Sequence, residues 1–143
     1  MIRDRIVDSG PIVAYFDPGD PFHDWAEDQF RFSKTSFLTC ESVLSETAFL
    51  LSRSRFGLST LLDFINEAPV EVPFRYAENR VAIRTLIARY GDIPMSFADA
   101  CLVRLSELYP DAPILTLDSD FLVYRRNKNE SLPVIIPPER LLR

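Results

Sequence analysis

Two acidic residues of this chain close short apolar runs. Asp8 ends Arg5-Ile6-Val7-Asp8, and Asp118 ends Pro113-Ile114-Leu115-Thr116-Leu117-Asp118. Two more lie in segments with helical spacing: Glu46 within Cys40 to Arg55, and Asp99 near the start of Ser96 to Leu108. Singly, each has an ordinary structural account. Asp8 precedes Ser9-Gly10-Pro11, and Asp is a favoured helix N-cap, so capping and cation binding both explain it. Glu46 has Ser42, Val43, Phe49 and Leu50 one helical turn away. That is the edge of an apolar stripe, where a buried or half-buried carboxylate needs a cation or hydrogen bonds, and Arg53 two turns on offers an ion pair. Ser96-Phe97-Ala98-Asp99 has the form of a capping box with Asp replacing Glu. Leu102 and Val103 in the next turn make Asp99 face inward as well.

The set says more than its members. In open parallel sheets the functional site lies outside the carboxyl ends of the strands, where Asp8 and Asp118 fall. Four carboxylates converging there would repel one another strongly, and a hard divalent cation with oxygen ligands resolves that. Mg²⁺ keeps few carboxylates and several waters, which leaves room for a phosphate. The chemistry is then metal-assisted phosphodiester hydrolysis. The single histidine, His23, has no second His or Cys at ligand spacing, which argues against zinc and against a histidine-based nuclease.

These acids need a scaffold of alternating strands and helices, and the chain supplies one. Arg5 to Asp8 reads as a buried strand. A helix follows through Ile12 to Phe16 with Pro11 near its first position, and Asp17-Pro-Gly-Asp-Pro ends it. Phe22 to Phe32 reads as a second helix and Ser36 to Thr39 as a second strand. The long helix Cys40 to Arg55 carries apolar residues at 43, 44, 48, 50 and 51, with Gly57 as its C-terminal cap. Ser59 is placed to cap a helix over Leu61 to Glu67. Val70 to Phe74 alternates as a third strand. Tyr76 to Tyr90 is helical up to Gly91, Ile93-Pro94-Met95 is a loop, and a helix runs from Ser96 to Leu108. Pro113 to Asp118 is a fourth buried strand, and Leu132 to Pro138 a last one whose prolines suit a sheet edge. Strands alternating with helices imply a mostly parallel sheet covered on both faces. The expectation is an α/β three-layer sandwich with a central sheet of four to five strands, forming one domain over residues 1–143.

Composition narrows the function. The chain has 143 residues, 47% of them hydrophobic, enough for one core. No apolar run nears the roughly 20 residues of a membrane helix, and the charged N-terminal stretch does not read as a signal peptide. Cys40 and Cys101 sit beside apolar neighbours without CxxC spacing, so two buried thiols and a cytoplasmic setting are expected. A net charge of −5 excludes a general nucleic-acid coat without excluding local handling of RNA. Fourteen of the sixteen basic residues are Arg, which suits phosphate forks and protein ion pairs, although solvated helix faces account for most of them. Phe22, Trp25, Phe30 and Phe32 crowd a short early region, consistent with either a homodimer interface or completion of the core.

Four stretches together resemble PIN domains. Ile6-Val7-Asp8-Ser9-Gly10-Pro11-Ile12-Val13-Ala14 is similar to the family's opening, and Leu44-Ser45-Glu46-Thr47 to its helix-borne Glu. Met95-Ser96-Phe97-Ala98-Asp99-Ala100 is similar to its third-acid motif, and Leu115-Thr116-Leu117-Asp118-Ser119-Asp120-Phe121 to its closing motif. Order and wide spacing match across almost the whole chain. The resemblance implies a Mg²⁺- or Mn²⁺-dependent endoribonuclease acting on single-stranded RNA, with Asp8, Glu46, Asp99 and Asp118 as the metal-binding acids. It implies that Ser9 and Thr116 orient the first and fourth acids. Asp120 either assists the metal or caps the short helix after Phe121. Many such small proteins are VapC-type toxins neutralised by an antitoxin, and a chain of charge −5 favours a basic partner. A housekeeping RNA-processing nuclease and a non-catalytic interaction module with the same fold are the alternatives. Other acid-bearing α/β folds fit poorly. A response-regulator receiver needs a Lys at the site, a haloacid-dehalogenase phosphatase needs an Asp where Gly10 stands, and a phosphate-loop binder needs a Gly-rich motif that four glycines do not form.

Overall fold

The computed structural model describes residues 4–31 and 36–141. Its centre is a five-stranded parallel sheet in the order β3-β2-β1-β4-β7, built from β1 (Arg5–Val7), β2 (Phe37–Leu38), β3 (Val70–Glu71), β4 (Ile114–Leu115) and β7 (Val134–Ile135). Between β1 and β2 the chain forms α1 (Ser9–Phe16) and α2 (His23–Arg31), between β2 and β3 it forms α3 (Glu41–Leu51) and α4 (Leu58–Glu67), and between β3 and β4 it forms α5 (Arg80–Arg89) and α6 (Phe97–Leu108). Parallel neighbours require such crossovers, and paired helices supply them. The expected α/β architecture is therefore present.

Strand register sorts the core into two layers. Ile6 pairs with Leu38 and Ile114, while Val7 pairs with Leu115. Because successive strand residues point to opposite faces, Ile6, Leu38 and Ile114 join one cluster with Ile83, Leu86, Leu102 and Leu105 of α5 and α6. Val7, Phe37 and Leu115 join the other with Ile12, Leu61 and Phe64 of α1 and α4. Helix α3 serves both: Val43 belongs to the first cluster and Leu51 to the second. It therefore crosses the end of the sheet rather than lying on one face, and this brings its middle, with Glu46, to the strand ends.

Several boundaries differ from the sequence expectation for identifiable reasons. The strands are shorter than the apolar runs that contain them. Helix α3 ends at Leu51, not Arg55, because the hydroxyls of Ser52 and Ser54 donate to the carbonyls of Phe49 and Leu51 at 2.6 and 2.9 Å. Gly57 is not its C-cap. It has an extended backbone (φ −90°, ψ 168°) and is the N-cap of α4, so Ser59 falls inside that helix. The expected helix over Tyr76 to Tyr90 breaks at Asn79 into a 3₁₀ turn (Tyr76–Glu78) and α5. The buried Asn79 side chain donates to the carbonyl of Arg75 and accepts from Arg104 Nε, both at 2.8 Å, and so competes with the helical pattern.

An antiparallel hairpin, β5 (Arg125–Arg126) with β6 (Glu130–Ser131), has no counterpart in the sequence expectation. Its turn holds Asn127 and Lys128 at positive φ (48° and 75°), a conformation that Asn tolerates better than most residues. Arg126 is not on a solvated helix face: it is 6% exposed, donates at 2.8 Å to both the carbonyl and the hydroxyl of Ser106, and pairs with Glu130 at 2.8 Å. The early aromatics are used within the chain. Phe30 meets Tyr15, Phe37 and Phe64, Trp25 packs on the same cluster, and Phe22 lies beneath the Arg140 guanidinium. Phe32 falls outside the described residues. Cys40 and Cys101 are free, buried thiols. Among the described residues no helix is long and apolar enough to cross a membrane.

Candidate active site

The chain steps outward from β1 to β2 and β3, then returns to place β4 on the other side of β1. Between β1 and β4 the sheet changes direction, and there neighbouring connections diverge and leave a crevice at the carboxyl ends of the strands. Asp8 follows β1 directly and Thr116 follows β4 directly. The crevice is an open cleft of about 380 Å³ lined by Asp8, Ser9, Gly10, Glu46, Ser96, Asp99, Leu117, Asp118 and Arg140. All four acids singled out in the sequence line it; Asp120 does not.

Asp8 is 7% exposed and fully engaged. It is the N-cap of α1. One carboxylate oxygen accepts from the Ser9 N–H at 2.8 Å, and the other accepts from the Thr116 hydroxyl at 2.7 Å. Capping and site membership thus coincide. Burial raises its pKa to about 7; the bonds from Thr116 and Ser9 oppose the rise, and the nearby charges of Asp99 and Glu46 add to it. Thr116 also accepts from the Asp118 N–H at 2.9 Å, so one buried hydroxyl ties the first acid to the fourth. The Ser9 hydroxyl does not orient Asp8, as the family resemblance implied; it donates to Glu46 Oε1 at 2.6 Å, across from α1 to α3.

Glu46 is exposed at the rim rather than buried on an apolar stripe. No ion pair to Arg53 forms, since that guanidinium lies over the Phe49 ring at 4.8 Å. Asp118 is half-buried and caps the 3₁₀ turn Ser119–Leu122, accepting from the Asp120 N–H at 2.9 Å. The capping role expected of Asp120 therefore belongs to Asp118, and Asp120 sits inside that turn. Asp99 lies in the first turn of α6, where its N–H donates to the Ser96 hydroxyl at 3.0 Å. Burial raises its pKa, while the Tyr124 and Ser96 hydroxyls pull it down.

Two residues of the site, Tyr124 and Arg140, carried no sequence signal. The Tyr124 hydroxyl donates to Asp99 Oδ2 at 3.0 Å, from a ring fully buried between Tyr90 and Phe121. Its neighbours are carboxylates, and they and its burial keep the phenol protonated. Arg140 is the one cation on the cleft wall among the described residues, anchored by a 2.8 Å bond from Nε to the Leu117 carbonyl. Gly10 allows α1 to approach the same segment: a Cβ there would meet Leu117 Cβ at 3.3 Å. No spacing or periodicity links Tyr124 or Arg140 to the acids, whereas Gly10 stands in the opening stretch that contains Asp8.

Four carboxylates with one facing Arg form a hard-oxygen donor set suited to Mg²⁺ or Mn²⁺ and unsuited to soft metals. The set is open. Among the described residues the one trio of His, Cys, Asp or Glu with ligand atoms within 4.8 Å of one another is His23, Asp24 and Glu27 on α2. Wide spacing fits an ion that retains waters between itself and some of its carboxylates. The α2 trio is a helix-surface arrangement, in which His23 also bonds the Ala14 carbonyl through Nδ1 at 2.8 Å.

Comparison with known proteins agrees with this fold. The family model for the PIN domain matches residues 5–127, and the chain belongs to that family. Among solved structures it is similar to VapC20 of Mycobacterium tuberculosis, described as a sarcin–ricin loop cleaving toxin. The two share 21% identity and a TM-score of 0.69, over 80% of this chain and 90% of that one. Among curated proteins no sequence matches.

Proposed function

We propose that this chain is a divalent-metal-dependent endoribonuclease and the toxin of a toxin–antitoxin pair. The observation that carries the reading is the convergence of Asp8, Glu46, Asp99 and Asp118 on one open cleft at the switch point of the sheet. Membership of the PIN family and the likeness to a toxin that cuts RNA support it. These four carboxylates would hold Mg²⁺ or Mn²⁺, which supplies Lewis acidity toward a phosphate oxygen and toward water.

The chain's own residues prepare the cleft for that task. Thr116 and the Ser9 N–H fix both oxygens of Asp8. The Ser9 hydroxyl fixes Glu46 at the rim, and Tyr124 fixes one oxygen of Asp99. Such fixed groups need little reorganisation when charge develops on the substrate. Arg140, with Nε occupied by Leu117, presents the rest of its guanidinium to a phosphate, a pairing its planar fork suits. An antitoxin would silence the site by covering the cleft, and a basic segment would compete directly with the metal among the acids.

Expression of the chain alone in bacteria tests the toxin reading. Growth is expected to arrest, and Asp99→Asn to restore it. Arrest that persists in Asp99→Asn would separate toxicity from the cleft. Normal growth alongside efficient RNA cleavage in vitro would instead assign a housekeeping role in RNA processing.

A further inference from the structure

Beside the acidic cleft lies a second feature that the carboxylate chemistry does not use. Tyr76, in the 3₁₀ turn before α5, and Phe97, the first residue of α6, are 44% and 48% exposed, although aromatic rings of this size bury large apolar area when they can. Their centroids are 5.6 Å apart at an interplanar angle of 56°. The Arg80 guanidinium lies over the other ring of the group, 5.1 Å from the Tyr76 centroid. The result is an exposed surface of ring, ring and guanidinium plane.

Its position is set by the chain. Phe97 falls between Ser96 and Asp99, both of which line the cleft, so the aromatic surface begins one residue from the cleft wall. Arg80 makes no ion pair among the described residues, nor does Arg84 one turn further along α5, and both are exposed. In a chain of net charge −5, this leaves an unneutralised cation on the aromatic surface itself. A polyanion crossing the cleft needs such cations to track its backbone.

We infer that Tyr76, Phe97 and Arg80 form a stacking subsite for an unpaired nucleobase next to the scissile phosphate. The inference rests on the RNA-cleavage reading above and specifies how single strands are preferred. Unpaired bases are held by stacking on aromatic rings and on Arg guanidinium planes. A base inside a duplex offers neither face to such a surface. Aromatic rings and Arg are also enriched at protein interfaces, so what favours an RNA strand here is the unpaired Arg80 and the start of the surface one residue from the cleft wall.

The probe is a short 5′-fluorescein-labelled single-stranded oligoadenylate, with binding read by anisotropy with Ca²⁺ in place of Mg²⁺ to hold off cleavage. Tyr76→Ala and Phe97→Ala are each expected to weaken binding roughly ten- to a hundredfold, whereas Tyr76→Phe and Phe97→Tyr bind like the parent. The melting-temperature rise on adding Mn²⁺ should be the same in all four variants, because none of these residues is among the cleft acids. The same oligonucleotide with abasic sites should bind the parent weakly and lose nothing further in Phe97→Ala, the non-additivity expected when both changes remove one contact. Binding of either alanine variant within about twofold of the parent overturns the subsite, as does equal loss on intact and abasic strands. So does unchanged RNA binding together with loss of a copurifying protein or of a second copy of the chain, which would make the surface a protein interface. Stacking-dependent binding without any metal-dependent cleavage by the parent would leave the subsite standing and remove the nuclease reading instead.

Discussion

Replacing Asp8 by Asn is expected to stabilise the metal-free protein at alkaline pH and to leave it little changed near pH 5. Asp8 has a folded-state pKa raised to about 7 by burial, against roughly 3.9 in an unfolded chain. The fold therefore favours the protonated form. Its contribution is fully present below the unfolded pKa and is lost as pH rises through about 7. A difference of about three units corresponds to roughly 4 kcal/mol lost by pH 8.5. Asn has nearly the same shape and no charge, so it escapes that cost. It can still accept from the Ser9 N–H, but it must turn its NH₂ toward Thr116 and give up the 2.7 Å bond from that hydroxyl, at about 1 kcal/mol. The net expectation is a gain of about 2–3 kcal/mol at pH 8.5 and little change at pH 5, where roughly 1.5 kcal/mol of the ionisation cost is already present in the parent and offsets the lost bond. For a chain of this size the alkaline gain corresponds to roughly 8 °C in Tm. Thermal melts of parent and variant in EDTA at the two pH values measure it, and other titrating groups cancel in the difference. The same Tm difference at both pH values would refute the burial argument for Asp8, as would a less stable variant at pH 8.5.

Three further substitutions probe the supports of the acids. Thr116→Val keeps the volume but leaves Asp8 Oδ2 and the Asp118 N–H without their shared partner; denaturant unfolding should show a loss of about 1–3 kcal/mol. Tyr124→Phe removes a hydroxyl that holds down the pKa of Asp99, so the acidic limb of the pH–rate profile should move to higher pH with little change in Tm. Arg140→Ala should lower kcat/KM for RNA on the order of ten- to a hundredfold, the worth of one charged hydrogen-bonding contact, while leaving stability unchanged because the side chain is exposed.

The sequence and the structure agree most closely where apolar burial dictates both. Ile6-Val7 and Ile114-Leu115 are apolar on both faces of the sheet, as central parallel strands must be. The acids that follow them are therefore fixed at the strand ends, and Asp8 and Asp118 are readable as a pair. Asp99 was readable from the helix-opening pattern after Ser96. Contacts made across the fold were not legible. Tyr124 reaches Asp99 from a segment 25 residues later, and Arg140 reaches the Leu117 carbonyl from the C-terminal end of the described chain. The exposure of Glu46 follows from α3 crossing the end of the sheet, where its neighbours one turn away no longer predict its surroundings. The β5–β6 hairpin was silent because Arg125, Arg126, Glu130 and Ser131 carry no apolar alternation, and the bonds of buried Arg126 hold it in place. Asp118 took the cap expected of Asp120 because the 3₁₀ turn begins one residue after it.

The most direct test of the account is cleavage of a labelled single-stranded RNA by the purified chain. Mg²⁺ or Mn²⁺ should support cleavage, excess EDTA should abolish it, and Asp99→Asn and Asp118→Asn should each lower the rate by on the order of a hundredfold or more while retaining the parent's fold. Undiminished cleavage in excess EDTA, or by both variants, would contradict the assignment of the cleft as a metal-dependent ribonuclease site.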